Sequence, residues 1–101
     1  MTEDETIATR WPKVIGILAS VDLVAAWEPA EDDTVDDCID VRSAGAEDEI
    51  GSLQYGLDRR WTANAWTTPE RTAMAHGALR SRAEDAAADL VDLLRRYGRI
   101  V

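Results

Sequence analysis

Along most of the chain, apolar residues recur every three or four positions, which is the spacing of a helix. In the middle third, steps of four, three, four and four residues separate five apolar side chains, namely Ala46, Ile50, Leu53, Leu57 and Trp61. Such steps place side chains on one face of an α-helix. The spacing therefore predicts a helix over about residues 46–62, with acidic residues in its first turn and arginines in its last, as the helix dipole favours.

The most regular period lies in the last third of the chain. Residues 68–70, Thr-Pro-Glu, combine a cap, a proline and an acid, which is typical of a helix start. Steps of four, four, three, four, four and three then separate the apolar residues Ala75, Leu79, Ala83, Ala86, Leu90, Leu94 and Tyr97. Gly98 is placed for a left-handed cap. The pattern predicts a helix ~43 Å long at ~1.5 Å per residue, which either breaks near Gly77 or projects from the domain.

A first helix is predicted near the start of the chain. Trp11-Pro12 places a proline at the first helical position, where its missing N–H costs no hydrogen bond. Mostly apolar residues follow from Lys13 to Trp27, and Pro29 ends the run. A strand over residues 14–17 is the alternative, because three of these four residues are β-branched.

A short second helix is predicted over about residues 35–43. Thr34 and Asp37 form a variant of the capping box before it, and Gly45 is placed to end it. Taken together, the four segments predict an all-α fold, a small bundle of about four helices with a long C-terminal helix.

Length and composition indicate one small folded domain. Of the 101 residues, 46% are hydrophobic, yet no apolar run is long enough to span a membrane. Three of the first five residues are acidic where a signal peptide would be basic, which favours the cytoplasm. We expect a single helical domain over residues 1–101, with a flexible N-terminus over 1–10 and a possible docking tail over 98–101.

Charge is divided unequally between the two halves of the chain. The net charge is −9, and residues 1–58 hold fifteen acidic and three basic side chains, whereas residues 59–101 hold five and eight. A dipolar subunit suits head-to-tail or ring packing, although the acidic half is explained as well by solubility. The excess of acids argues against binding to nucleic acid by phosphate neutralisation.

Catalytic and metal-binding signatures are lacking. The single cysteine and the single histidine, Cys38 and His76, are the only pair that could build a nucleophilic site, and Asp37 and Asp40 oppose a thiolate at Cys38. The aspartates over residues 32–40 lack the spacing of a calcium loop, and no glycine-rich phosphate loop occurs. We therefore expect no enzyme activity, no metal and no cofactor.

Tryptophan and arginine residues of the second half form the candidate partner interface. Both residue types are enriched where proteins bind each other. The candidate interface residues are Trp61, Trp66, Arg95, Arg96, Tyr97, Arg99, Ile100 and Val101. Tryptophans that anchor the core and a frayed terminus are the alternative interpretations.

Several short motifs occur together along nearly the whole chain. They are Trp11-Pro12, Glu31-Asp32-Asp33 before Val35 and Ile39, Arg59-Arg60-Trp61, Thr68-Pro69, and Leu79-Arg80-Ser81-Arg82. Arginine outnumbers lysine ten to one. In these features the chain resembles the small helical head–tail connector, or adaptor, proteins of long-tailed bacteriophages, particularly those of actinobacterial hosts.

The resemblance implies a structural virion protein that is assembled in the host cytoplasm. Such a subunit forms a homo-oligomeric ring between portal and tail and contacts portal and tail-completion proteins, with neither a membrane nor a specific nucleic acid as partner. The alternative is a small acidic phage or bacterial protein that inhibits a host nucleic-acid-binding protein by DNA mimicry, which requires the acids of residues 28–49 on one exposed face. An enzyme subunit would require Cys38 and His76 to converge near an open pocket.

Overall fold

A computed structural model describes residues 11–28, 37–56 and 59–100, which form two helices and one antiparallel sheet. In chain order the elements are α1 (Pro12–Ala19), β1 (Leu23–Glu28), β2 (Asp37–Ser43), β3 (Glu49–Tyr55), β4 (Trp61–Trp66), β5 (Met74–His76) and α2 (Ala83–Arg96). Each strand pairs with its neighbour in the chain, in the order β1-β2-β3-β4-β5. The predicted all-α bundle is therefore wrong, because most of the described elements are strands.

One face of the sheet carries the core. Successive residues of a strand point to opposite faces, and the inward positions of the central strands are filled by Ile39, Val41, Leu53, Ala63 and Ala65. α1 and α2 contact each other and cover this face. They contribute Val14, Leu18, Ala83, Ala86, Ala87, Leu90 and Leu94. The described helices and strands thus share one hydrophobic core.

Four aromatic side chains close one end of this core. The ring of Trp11 meets the rings of Trp27 and Trp61 edge-on, at centroid distances of 5.2 and 5.6 Å. Tyr55 lies 5.0 Å from Trp61 on the adjacent strand. Edge-to-face packing of this kind adds to the stabilisation from buried area.

The predicted first helix is correct at its start and wrong at its end. Pro12 is its first residue, as the Trp11-Pro12 motif predicted. The helix ends at Ala19 rather than Trp27, and Asp22 adopts a φ of 59° in the turn that leads into β1. A left-handed residue cannot continue a right-handed helix. The alternative of a strand over residues 14–17 is also wrong.

The helices predicted over residues 35–43 and 46–62 do not exist. β2 occupies most of the first segment, and β3 with the start of β4 occupies the second. Gly45 lies in the turn between β2 and β3 with a φ of 81°, so its left-handed conformation serves a hairpin rather than a helix end. Thr34, Val35 and Leu57 lie outside the described residues.

Pairing between strands explains why local helical spacing did not decide this region. β2 has a partner on each side, with Ile39 opposite both Trp27 and Leu53. The backbone groups of a central strand are satisfied by segments that are distant in sequence, so tertiary context overrides local preference. The three-residue step from Ile50 to Leu53 arises at an irregularity in the register of β2 and β3.

The predicted C-terminal helix exists only from Ala83 onward. Its buried residues keep the predicted period, Arg95 and Arg96 occupy its last turn, and Gly98 follows with a φ of 69°. Residues 69–82 form a turn, β5 and an extended segment instead. The main-chain N–H of Gly77 donates to the carbonyl of Ala63, which extends strand pairing where the helix was expected. No described helix has the length and apolar character needed to cross a membrane.

Candidate functional site: the helix-free face of the sheet

The face of the sheet opposite α1 and α2 is not covered by any described helix. We call it the helix-free face. The strand register places on it Val24, Ala26, Cys38, Asp40, Arg42, Ser52, Gln54, Thr62, Asn64, Trp66, Met74 and His76. Antiparallel sheets often pack one face on the core and leave the other to solvent, and the outer face then carries mostly polar residues, as it does here.

A row of four polar side chains, the polar row, crosses the middle of the helix-free face. Backbone pairing places Asp40, Ser52, Asn64 and His76 directly opposite one another on four successive strands. With strands ~4.8 Å apart, the row is ~14 Å long. Ser52 and Asn64 are each only 7% exposed. Buried polar side chains are normally hydrogen-bonded, so Ser52 and Asn64 are expected to be held in fixed positions by their neighbours in the row.

Hydrogen bonds connect three of the four side chains of the polar row. Nδ2 of Asn64 donates to Oγ of Ser52 at 3.4 Å, and Oδ1 of Asn64 lies 2.6 Å from Nδ1 of His76. Because the amide oxygen can only accept, Nδ1 of His76 is the donor of this hydrogen bond, an arrangement that would leave Nε2 as an acceptor in the neutral form of the ring. His76 itself is exposed. The buried amide therefore orients an imidazole on the surface of the helix-free face.

A cleft of about 190 Å³ lies beside the polar row, where β2 ends and β3 begins. Its lining residues are Ala26, Asp40, Val41, Arg42, Glu47 and Glu49. We call it the acidic cleft, because it holds three carboxylates and one guanidinium. Nη1 of Arg42 donates to the carbonyl of Ala46 at 2.9 Å, so that cation is partly engaged in holding the turn. The cleft is suited to a positively charged group.

Cys38 and His76 lie on the same face but do not meet. Sγ of Cys38 donates to Oδ1 of Asp40 at 3.3 Å. His76 is three strands away, ~14 Å at the usual strand spacing, whereas a nucleophile and its base must be within hydrogen-bond reach. Ser52 is likewise two strands from His76, with Asn64 between them. In the described part of the chain, no three histidine, cysteine or acidic side chains are grouped to hold a metal ion.

The two tryptophans predicted as interface residues lie on opposite faces of β4. Trp61 is 6% exposed and packs in the aromatic end of the core. Trp66 is half-buried on the helix-free face, and its indole nitrogen is buried with no hydrogen-bond partner among the described residues. Only Trp66 therefore remains available to contribute to a binding surface.

The predicted C-terminal interface is partly packed against its own domain. Arg95, Arg96 and Tyr97 are exposed at the end of α2, whereas Arg99 and Ile100 are half-buried and Ile100 packs against the core. Arg95 and Ile100 also line a cleft of about 400 Å³, whose other walls are the turn between α1 and β1 and the end of β2. Val101 lies outside the described residues.

Exposed arginines gather at the opposite end of the sheet from the acidic cleft. Trp61 and Arg80 exchange main-chain hydrogen bonds, which brings residues 59–60 beside residues 81–82. We call the group of Arg59, Arg60, Arg80 and Arg82 the arginine patch. Arg80 donates to both carboxylate oxygens of Asp89, at 2.7 and 3.0 Å, and these hydrogen bonds raise the pKa of Arg80.

Sequence reasoning missed Ser52 and Asn64. The residues of β4, Trp-Thr-Ala-Asn-Ala-Trp, place apolar side chains at Trp61, Ala63 and Ala65 with polar ones between them. That period of two is the signal of a half-buried strand and could have placed Asn64 on the outer face. The helical spacing that ends at Trp61 concealed it.

Comparisons with protein-family models, with curated proteins and with solved structures find no match for this chain.

Proposed function

We propose that this protein is a non-catalytic interaction subunit that docks by its helix-free face onto a basic segment of a protein partner. The observation that carries the proposal is the position of the acidic cleft next to the polar row on the same face. The cleft supplies charge for attraction, and the row supplies oriented hydrogen-bonding groups for specificity.

Charge complementarity defines the chemistry of the partner. Glu47 is exposed and makes no ion pair among the described residues, so its carboxylate is available to a lysine or arginine side chain. In the neutral form of the ring, Nε2 of His76 could accept a hydrogen bond from a peptide N–H or a side-chain donor of the partner. Nucleic acid is disfavoured because its phosphates would meet the carboxylates of the cleft.

The head–tail connector is the assembly that we propose for such a subunit, as a ring in the virion in contact with portal and tail-completion proteins. The division of charge along the chain supports it. The helical arrangement gives no support, since Ile39 and Trp61 belong to strands and Thr68-Pro69 to a turn.

DNA mimicry shares the same acidic surface. Among the acids of residues 28–49, the described side chains of Asp40, Glu47, Asp48 and Glu49 lie in or next to the acidic cleft. A mimic would present them to the DNA-binding surface of a host protein. Capture of a DNA-binding protein that double-stranded DNA displaces would favour mimicry over the proposed docking role.

The test is a titration of ¹⁵N-labelled protein with a hexa-arginine peptide, followed by NMR. We expect shifts at Asp40, Ser52, Asn64 and His76 and none along the outer side of α2. The double variant Asp40→Asn, Glu47→Gln is expected to weaken binding on the order of tenfold. The control Glu70→Gln, Asp92→Asn removes two exposed charges elsewhere and should bind as the wild type does. Equal binding by both variants, or shifts confined to α2, would contradict the proposal.

A further inference from the structure

We propose that the occupant of the helix-free face is a second copy of this chain, which docks its arginine patch at the acidic cleft in a head-to-tail contact. This inference rests on the proposed function and names the partner. Both surfaces belong to the described structure and carry opposite charge.

The two surfaces are too far apart to satisfy each other within one copy. Glu49 begins β3 beside the acidic cleft, and Tyr55 ends the strand where the arginine patch begins. Six steps at ~3.3 Å per residue separate these ends by ~20 Å. Contact between the arginine patch and the acidic cleft therefore requires a second molecule.

Charges without a partner lie on both surfaces. Arg59 and Arg82 are exposed and make no ion pair in the described part of the chain, whereas Arg80 is already held by Asp89. Glu47 and Asp48 are likewise exposed and unpaired there. These four side chains are the ones that would exchange water for a charged partner at the interface, and they would steer the encounter of two copies.

The head-to-tail contact gives each copy one neighbour at its arginine patch and another at its acidic cleft. Such a heterologous contact repeats from copy to copy and produces a closed ring or an open filament, according to the rotation between neighbours. A reciprocal twofold pair, in which two copies exchange both contacts, would instead stop at a dimer, which the mass from light scattering distinguishes.

Charge reversal tests the inference because each surface can be inverted separately. One variant carries Glu47→Arg and Asp48→Arg, and the other carries Arg59→Asp and Arg82→Glu. All four positions are exposed, so both variants should fold, as circular dichroism and thermal unfolding would verify. By light scattering after size exclusion at low ionic strength, wild-type protein should form oligomers, and each variant alone should lose them.

An equimolar mixture of the two variants is expected to regain oligomers, because the reversed cleft of one then attracts the reversed arginine patch of the other. The control variant Glu70→Arg, Asp92→Arg should assemble as the wild type does. A monomeric wild-type protein that still binds hexa-arginine at the helix-free face would overturn this inference and leave the proposed function standing. Failure of the mixture to assemble would also overturn it, and absence of peptide binding would remove the proposed function itself.

Discussion

Oδ1 of Asn64 lies 2.6 Å from Nδ1 of His76, while Nδ2 of the same amide donates to Ser52 on the other neighbouring strand. One buried side chain thus links three strands and sets the orientation of an exposed imidazole. This arrangement makes the helix-free face a defined surface rather than a collection of solvated side chains.

Asn64→Ala should lower the free energy of unfolding by about 1–3 kcal/mol, because Ser52 and His76 lose a hydrogen-bond partner. Denaturant unfolding would measure the loss. ¹⁵N NMR of the imidazole should place the proton of neutral His76 on Nδ1 in the wild type and shift it toward Nε2 in the variant. Thr62→Ala, two residues away on the same face, is the control, and an unchanged tautomer in Asn64→Ala would contradict the assignment.

Gly51→Ala should lower the free energy of unfolding by about 1–3 kcal/mol, the usual range for an overpacked core. A Cβ atom at this position would lie 2.6 Å from the main-chain oxygen of Asn64 and 2.8 Å from Cδ1 of Leu90. Neither neighbour can retreat easily, since one is backbone and the other is fully buried. Chemical denaturation would measure the change.

Gly16→Ala is the matched control for this prediction. Gly16 is exposed in the middle of α1, and a Cβ atom there would meet nothing within 4 Å. Alanine is the better helix former by about 1 kcal/mol, so this variant should be more stable than the wild type. A stabilising Gly51→Ala would refute the close packing of β3 against α2.

Trp61→Ala should cost about 3–5 kcal/mol of stability, the usual range for a buried aromatic side chain. Trp61 contacts both Trp11 and Tyr55 in the core. Trp66→Ala should cost clearly less, because Trp66 is half-buried and its buried indole N–H has no partner in the described part of the chain. Thermal and denaturant unfolding of the two variants give the comparison, and equal losses would show that the faces of β4 are misassigned.

The ion pair of Arg80 and Asp89 should contribute modestly and in a salt-dependent manner. The two side chains are 44% and 19% exposed, so solvent screens their attraction. Asp89 raises the pKa of Arg80, so wherever Asp89 carries its charge the pair adds stability that is lost only as the pH rises past the ordinary pKa of arginine. The contribution should therefore be constant from neutral to mildly alkaline pH.

A double-mutant cycle with Arg80→Ala and Asp89→Ala measures this coupling. It should be favourable at low ionic strength and decrease as salt is added. A coupling that grows with salt, or that changes between neutral and mildly alkaline pH, would show that the pair is not the solvent-screened contact seen here.

Local signals predicted the start of α1 and the end of α2 correctly, but not the end of α1 or the start of α2. Pro12 begins α1 because a proline costs nothing at that position, and the buried period of α2 is correct because the helix is amphipathic. The prediction failed at Asp22, where a left-handed residue ends the first helical run. Nothing in its side chain requires that conformation.

In β3 and β4, alanine and glycine hold inward positions where β-branched residues would be expected. These residues are Gly51, Ala63 and Ala65, and at Gly51 a larger side chain would collide with Leu90 of α2. At Gly51 the small size is therefore a requirement of helix–sheet packing, whereas a local window interprets the alanines as helix formers.

For the candidate site, the sequence indicated the lone histidine and the surplus of acids, but not which side chains share a face. The chain by itself determined its charge division, its helix start at Pro12 and the apolar side of α2, because these depend on neighbours within a few residues. The alignment of Asp40, Ser52, Asn64 and His76 was decided only by tertiary structure. The hydrogen-bond partners of an extended strand belong to other segments, so register has no local cause.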